Sequence, residues 1–365
     1  MARNKKPQFN AAVAVILAVL CLAVGALGGY IGYLEMTVPV DTEVYTSGDI
    51  SVHFLELGNK YTGDCTYIKA GETDILIDAG SRASSVPTIS AYLNQFVTDG
   101  KLEYVIVTHA HQDHYAGFAT NDGTDSIFDL YECETIIDFA LTNQKSDAKM
   151  YNNYLRERSE EIAAGATHYT AAQCIEQGKS VFNISGAATL TVLDQKYYYE
   201  EAETENDYSV CVLISDGGNN FLFTGDLEEE GEESLVEMNT LPKVDVYKAG
   251  HHGSKTSSHE PLLAEIQPEI VCVCCCAGSS EYGAKPQNTF PTQDFVDRVS
   301  KYTDRVYVTT LCIDYENDQF TSMNGNIVIS YSFGELVVNC SASDTKLKDT
   351  EWFKNNRTCP DSWKD

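Results

Sequence analysis

Apolar residues fall into short runs separated by polar turns, and the period of these runs changes along the chain. Ser51-Val-His-Phe-Leu-Glu-Leu57 has the pattern of a strand, followed by a turn from Gly58 to Asp64. Cys65-Thr-Tyr-Ile-Lys-Ala70 and Asp74-Ile-Leu-Ile-Asp78 predict a hairpin joined through Gly71. Residues 86–99 read as a helix. Tyr104-Val-Ile-Val-Thr108 is a continuous apolar strand of the kind that sits in the middle of a sheet. Residues 126–178 read as mainly helical, with an exposed amphipathic helix over 151–164. Strand patterns return at 188–193, 208–214 and Phe221-Leu-Phe-Thr224, followed by an acidic helix over 228–238. Asp245-Val-Tyr-Lys-Ala249 is again a strand. A short helix over 262–266, a strand over 270–276, a helix over 295–301, a strand over 305–310 and a hairpin over 327–339, with Gly334 near its turn, complete the pattern. Strands in both halves with helices between them predict an α/β fold of two sheets sandwiched between helices, not one doubly wound sheet.

The longest apolar run lies before all of this. Ala11 to Leu34 carries no charge. At about 1.5 Å per residue it is long enough for the ~30 Å of a bilayer's hydrocarbon. Arg3, Lys5 and Lys6 precede it, and Glu35, Asp41 and Glu43 follow it. The positive-inside tendency then places the remainder outside the cytoplasm. The expected organisation is a basic cytoplasmic segment at 1–10, a transmembrane anchor at 11–34, a linker at 35–49, a main domain at 50–340 and a polar tail at 341–365. If 11–34 is instead a cleaved signal, the product is secreted.

Composition narrows the partners. The 365 residues include 54 acids against 25 bases, a formal net charge of −29. Such a surface repels phosphate polyanions at long range and disfavours nucleic acid as a partner. Of the 12 cysteines, Cys272, Cys274, Cys275 and Cys276 crowd one strand, where neighbours face opposite ways. They read as small buried hydrophobes, not as a disulfide scaffold. There is no phosphate loop and no dinucleotide fingerprint, and nothing indicates a protein partner.

The chemistry concentrates at strand ends. Thr108-His109-Ala110-His111-Gln112-Asp113-His114 puts three of the eight histidines and a carboxylate directly after an apolar strand. Imidazole and carboxylate donors suit zinc or manganese. From an extended loop, His109 and His111 can approach one ion, and Asp113 and His114 can reach a second. Asp226 ends the strand Phe221–Thr224 after a turn glycine, where a carboxylate can bridge two ions. Gly250-His251-His252-Gly253 puts two adjacent imidazoles in a turn after another strand. His53 lies within a strand and reads as a satisfied local histidine. His259 reads the same way, and His168 is left out of the ligand set. Asp64 and Asp207 are explained by turns.

These elements resemble the metallo-β-lactamase superfamily, whose signature is His-x-His-x-Asp-His. More narrowly they resemble the hydrolase domain of bacterial competence proteins, and they are similar to phosphorylcholine esterases. The resemblance runs from about 50 to 340. It includes Gly63-Asp64, Asp78-Ala-Gly80, His109–His114, Asn206-Asp207-Tyr208-Ser209, Thr224-Gly-Asp226, His251–Ser257, Tyr282-Gly283 and Gly325-Asn-Ile327. It implies a four-layer αββα sandwich and two divalent ions, zinc by expectation and manganese as an alternative. His109 and His111 would hold one ion. Asp113, His114 and His252 would hold the other, and Asp226 would bridge. Asp78 would orient a ligand from behind. Asp113, Asp226, His251 and Lys255 would be catalytic. Ser254, Lys255, Thr256, Ser257 and Lys285 would bind substrate. The chain departs from the pattern in lacking the superfamily's histidine between the first cluster and the bridging aspartate. It also has Lys285 where the competence branch often carries a histidine.

The expected activity is metal-assisted hydrolysis outside the cytoplasm, on a phosphodiester-containing small molecule or envelope polymer. A nuclease activity is a variant of this reading. Two other classes compete. One is a surface protein that binds metal without catalysis, and the other is a hydrolase of carbonyl esters or lactones. Fold resemblance alone does not choose among them.

Overall fold

The computed structural model describes residues 50–120, 123–145, 147–283, 285–332 and 335–364. The described residues fall in the second of two units, Thr46–Asp365. The basic segment, the anchor and the linker predicted for 1–49 lie outside the described residues. Among the described residues no helix is long and apolar enough to cross a membrane.

The second unit is built on two eight-stranded sheets. The first sheet uses β1 (Ile50–Phe54), β2 (Thr66–Ala70), β3 (Thr73–Ile77), β4 (Lys101–Val107), β5 (Glu132–Asp138) and β6 (Thr167–Thr170). The second uses β7 (Val181–Ser185), β8 (Ala188–Leu193), β9 (Cys211–Asp216), β10 (Asn219–Phe223), β11 (Val246–Lys248), β12 (Ile270–Ala277), β13 (Val306–Asp314) and β14 (Gln319–Ser322). The chain then returns to the first sheet with β15 (Ile327–Ser332) and β16 (Glu335–Cys340). The orders are β16-β15-β1-β2-β3-β4-β5-β6 and β14-β13-β12-β11-β10-β9-β8-β7.

Alternation along the strands sets the layers. On the inward faces Phe54 meets Phe223 at 6.3 Å between ring centroids. On the outward face of the first sheet, His53 and Tyr67 pack with Tyr92 and Phe96 from the helix Val86–Leu93 and its exit. On the outward side of the second sheet, Tyr247, Val271 and Val273 share a core with Leu262, Leu263, Phe295 and Val299 of two helices. Helices thus cover the outer side of each sheet, and the topology is the expected α/β sandwich.

Two predicted regions differ from this structure. Residues 126–178 are not mainly helical, because β5 and β6 extend the first sheet in parallel on either side of the helix Lys149–Ala164. Glu132 and Glu134 face out from β5, so its polar half hides the strand period. The segment 341–365 is not a patternless polar tail. It forms the helix Glu351–Asn356 and buries Leu347, Phe353 and Trp363 in the second sheet's core. Three apolar residues at wide spacing carry no local period, yet each fills a site in the core. The hairpin β15–β16 forms as predicted, and Gly334 at its turn lies outside the described residues.

Parallel pairing matters most for the site. β3 pairs in parallel with β4, and β10 pairs in parallel with β11. Their carboxyl ends converge at the seam between the sheets, where loops can carry chemistry on rigid supports.

Candidate metal centre

Each functional side chain sits one to seven residues beyond a strand end. Asp78 follows β3, His109–His114 follow β4, Asp226 follows β10, and His251 and His252 follow β11. The focus is Asp226 Oδ2. It lies 3.2 Å from His114 Nε2, 3.4 Å from His252 Nε2, 3.8 Å from His251 Nε2 and 4.0 Å from His109 Nε2. His252 Nε2 is 3.5 Å from Asp113 Oδ2, and His109 Nε2 is 3.0 Å from His111 Nδ1. Asp64, His114, Asp226 and His252, all buried, each offer one ligand atom within 4.8 Å of the others.

Buried polar atoms normally have partners. Here Asp64 Oδ1, His114 Nε2, Asp226 Oδ1 and His252 Nε2 have no hydrogen-bond partner. Of these, His114 Nε2 and His252 Nε2 both face Asp226 Oδ2, at 3.2 and 3.4 Å, a nitrogen and carboxylate donor set that fits a divalent metal. The opposite ring nitrogens are occupied. His114 Nδ1 donates to Asp78 Oδ2 at 2.7 Å, and His252 Nδ1 donates to the Cys274 carbonyl at 2.8 Å. This leaves Nε2 of both rings for the centre. Asp64 approaches these two histidines from their Nδ1 sides, at 3.7 and 3.2 Å. It therefore lies behind the imidazoles as well as near the donor cluster.

The electrostatics agree with this geometry. Burial lowers the His114 pKa, but the carboxylates of Asp226 and Asp78 outweigh burial and push it up to about 10. His252 is raised the same way, burial being overcome by Asp226 and Asp64. His109 goes the other way, driven down by burial and by the neighbouring His114. Burial raises Asp226 and Asp113, yet the surrounding imidazoles hold both well below the usual carboxylate range.

The loop at 250–253 is strained to achieve this aim. His251 and His252 have φ of 44° and 54°, the left-handed region that side chains with a Cβ rarely adopt. Such residues cost about 1–3 kcal/mol each and persist where the surroundings fix them. Gly253 follows at φ 79°, and a Cβ there would meet Pro291 at 2.9 Å.

The other expected residues spread from the cleft rim into the core. Lys255 is exposed at the rim and Thr256 is half-buried, with Oγ1 2.8 Å from His251 Nδ1. Ser254 Oγ lies 3.1 Å from Thr256 Oγ1. Ser257 is fully buried and its Oγ donates to the Leu227 carbonyl at 2.7 Å, so it ties loops together and does not face the cleft. Lys285 is exposed and is not among the residues lining the neighbouring cleft. That cleft, about 240 Å³, is lined by His251, Ser254, Lys255, Tyr282, Asn288, Phe290 and Thr292. His168 belongs to β6 and pairs with Asp138 at 2.8 Å. His53 is buried and held by Ser51 and Tyr92. His259 pairs with Glu232 at 3.2 Å.

The structure adds residues to which sequence reasoning gave no role. Lys248 is buried beside Asp64 and Asp226. Tyr282 donates to Asp113 Oδ2. Ser209 Oγ accepts from the Asp226 amide at 3.0 Å and lies 3.3 Å from His109 Nδ1. Glu205 accepts from the Ala110 and Asn143 amides at 3.0 and 2.6 Å, clamping the loop between His109 and His111. Lys248 left a local signal as a lone cation inside an apolar strand, and Ser209 and Tyr282 lay in short motifs without an assigned role.

The sequence model of the metallo-β-lactamase superfamily matches residues 58–120 and 199–277, which carry these loops. Those two segments are similar to that superfamily, the α/β sandwich has its type of topology, and the Asp/His cluster supports a metal-dependent hydrolase. Among curated relatives, Recombination protein 2 of Haemophilus influenzae is 34% identical over 107 residues, 29% of this chain and 12% of that protein. ComE operon protein 3 of Bacillus subtilis is 27% identical over 180 residues, 47% and 20% of the two chains. Competence protein ComA of Neisseria gonorrhoeae is 25% identical over 251 residues, 68% and 29%. This chain thus spans less than a third of each of these relatives. Among solved structures, the metallo-β-lactamase fold protein YhfI from Bacillus subtilis aligns at 12% identity and a TM-score of 0.42, covering 72% of this chain and 96% of that one. The diiron β-hydroxylase CmlA from Streptomyces venezuelae aligns at 12% identity and a TM-score of 0.34, covering 63% and 45%.

Proposed function

We propose that the domain hydrolyses phosphodiesters, on small molecules or envelope polymers, outside the cytoplasm. One observation carries this reading. A single carboxylate oxygen, Asp226 Oδ2, has four imidazole nitrogens within 4.0 Å, beside a cleft whose rim holds a lysine. Bound divalent ions, zinc or manganese, would supply a hydroxide near neutral pH and neutralise developing charge. His109, His111, Asp113, His114, Asp226 and His252 would hold them. Lys255 meets the non-bridging oxygens of an anionic diester at the cleft rim. His251, fixed at Nδ1 by Thr256, turns Nε2 toward both cleft and centre. Tyr282 holds a proton over Asp113 and stacks near Phe290 at 5.4 Å, giving the substituent an aromatic wall. A lysine and neutral donors beside the centre suit a diester better than a neutral lactone or ester.

Relatives named for recombination and competence favour a second substrate, DNA. The −29 charge opposes a long polyanion. The resemblance to phosphorylcholine esterases keeps phosphocholine diesters in view. The test is metal content and bis(p-nitrophenyl) phosphate turnover of the same preparation, before and after chelation and metal return, followed by DNA and phosphocholine esters. Chelator-sensitive turnover supports the reading. Bound metal with turnover only on lactones or thioesters, or with none at all, replaces it with a carbonyl hydrolase or a binding protein. The location outside the cytoplasm rests on residues 11–34, and protease accessibility of the domain on intact cells tests it.

A further inference from the structure

The centre contains a cation of its own. Lys248 ends β11 with its side chain 3% exposed. An ammonium taken out of water costs several kcal/mol unless it is paired. Its partners come from both sheets. Nζ contacts Asp64 Oδ2 from the loop before β2, donates to the Gly225 carbonyl at 3.1 Å and lies 3.7 Å from Asp226 Oδ1. Asp64, Asp78, Thr108, Gly225 and Lys248 also share the wall of one small cavity.

This arrangement divides Asp226 in two. Oδ2 faces the four imidazoles, and Oδ1 faces the ammonium and has no hydrogen-bond partner. A carboxylate next to a divalent cation can offer one oxygen or both. The nearby positive charge holds Oδ1 on its own side and leaves one oxygen for the centre. We propose that Lys248 is a positioning residue that restricts Asp226 to a single ligating oxygen. The inference rests on a metal occupying the centre, and it does not depend on which substrate is hydrolysed.

A plainer role would be neutralisation of the buried Asp64. The two roles separate in a mutant cycle read without any substrate. Lys248→Met keeps the length of the stem and removes the charge. The metal-free full chain is titrated with Co2+ and its visible absorption is recorded for wild type, K248M, Asp64→Asn and the double variant, with circular dichroism as the check on folding. A carboxylate that gains a second contact raises the coordination number, and the visible bands of Co2+ weaken. The inference expects weaker bands per bound ion in K248M than in wild type, and the same weakening when K248M is added to D64N. A K248M spectrum equal to wild type overturns it. So does a K248M effect that vanishes in the D64N background, because the lysine then only neutralises Asp64. If K248M alone does not fold, comparison of the double variant with D64N decides the question, since neither holds an unpaired buried Asp64 charge. Absence of Co2+ binding in wild type sinks the metal reading itself, a different failure from any change between variants.

Discussion

The two sheets present the same device at their carboxyl ends and use it differently. In the first, β2, β3 and β4 run antiparallel then parallel, with Asp78 after β3 and histidines after β4. In the second, β9, β10 and β11 repeat that order, with Asp226 after β10 and histidines after β11. Asp78 is saturated. Oδ1 accepts from the Thr108 amide at 2.8 Å, and Oδ2 accepts from Thr108 Oγ1 at 2.8 Å and His114 Nδ1 at 2.7 Å. Asp226 keeps one oxygen orphaned and the other among imidazoles. Matching positions after a strand thus yield an aligner of a ligand in one half and a donor in the other. What separates them is hydrogen-bond supply, which residue type does not reveal.

The comparison can be broken at several points. Asp226→Asn should do the most damage, lowering chelator-sensitive turnover by at least about a hundredfold, as loss of a preorganised charge does. Asp78→Asn should keep turnover at saturating metal and weaken metal affinity by about tenfold, the usual scale for a partner behind a ligand. Competition against a calibrated chelator measures it. Equal effects of the two substitutions on turnover at saturating metal would erase the distinction drawn here.

Acid–base behaviour gives a third test. In the metal-free chain, Asp226 and Asp78 outweigh burial and push the His114 pKa up from its ordinary 6.5 to about 10. A raised folded pKa stabilises fully below the unfolded value and loses that contribution as pH rises toward the folded one. Chelated protein should therefore lose thermal stability between about pH 6.5 and 10. Metal-loaded protein should hold stability there and lose it in acid, because ligands must be deprotonated. Melting temperature against pH, with and without chelator, reads both curves.

Smaller effects should follow outside the centre. His168→Ala removes one partner of the buried Asp138, which Tyr154 and Arg158 also hold. Denaturant unfolding should show a loss of about 1 kcal/mol with metal stoichiometry unchanged. Lys285→Ala should change turnover by less than about twofold and stability by no more than the roughly 0.5 kcal/mol common for exposed positions.

Much of this was legible in the sequence because it is local. The runs 104–108, 221–224 and 245–249 end in histidines or aspartate, and both sheets could be read from strand period. The rest depends on distant partners. Asp64 reads as a turn residue until β11 brings Lys248 to it. Glu205 is one acid among many until its carboxylate meets the Ala110 amide. β5 is masked by outward glutamates, and Leu347, Phe353 and Trp363 are too far apart to show any period. The missing superfamily histidine has no substitute on β6. His251, from the second half, is the additional imidazole near Asp226.

The pairing of β1 with β15 has a consequence in time. Ser51 lies opposite Ser330, so the first strand described has a neighbour from far along the sequence. On a ribosome β1 and β2 emerge long before β15 and β16 exist, and one edge of the first sheet stays unpaired meanwhile. Contacts this distant are slow to form, and an open strand edge invites wrong partners. The domain is therefore expected to mature only after β15 and β16 have been made, with a need for a holding chaperone greatest just before residue 340 is made.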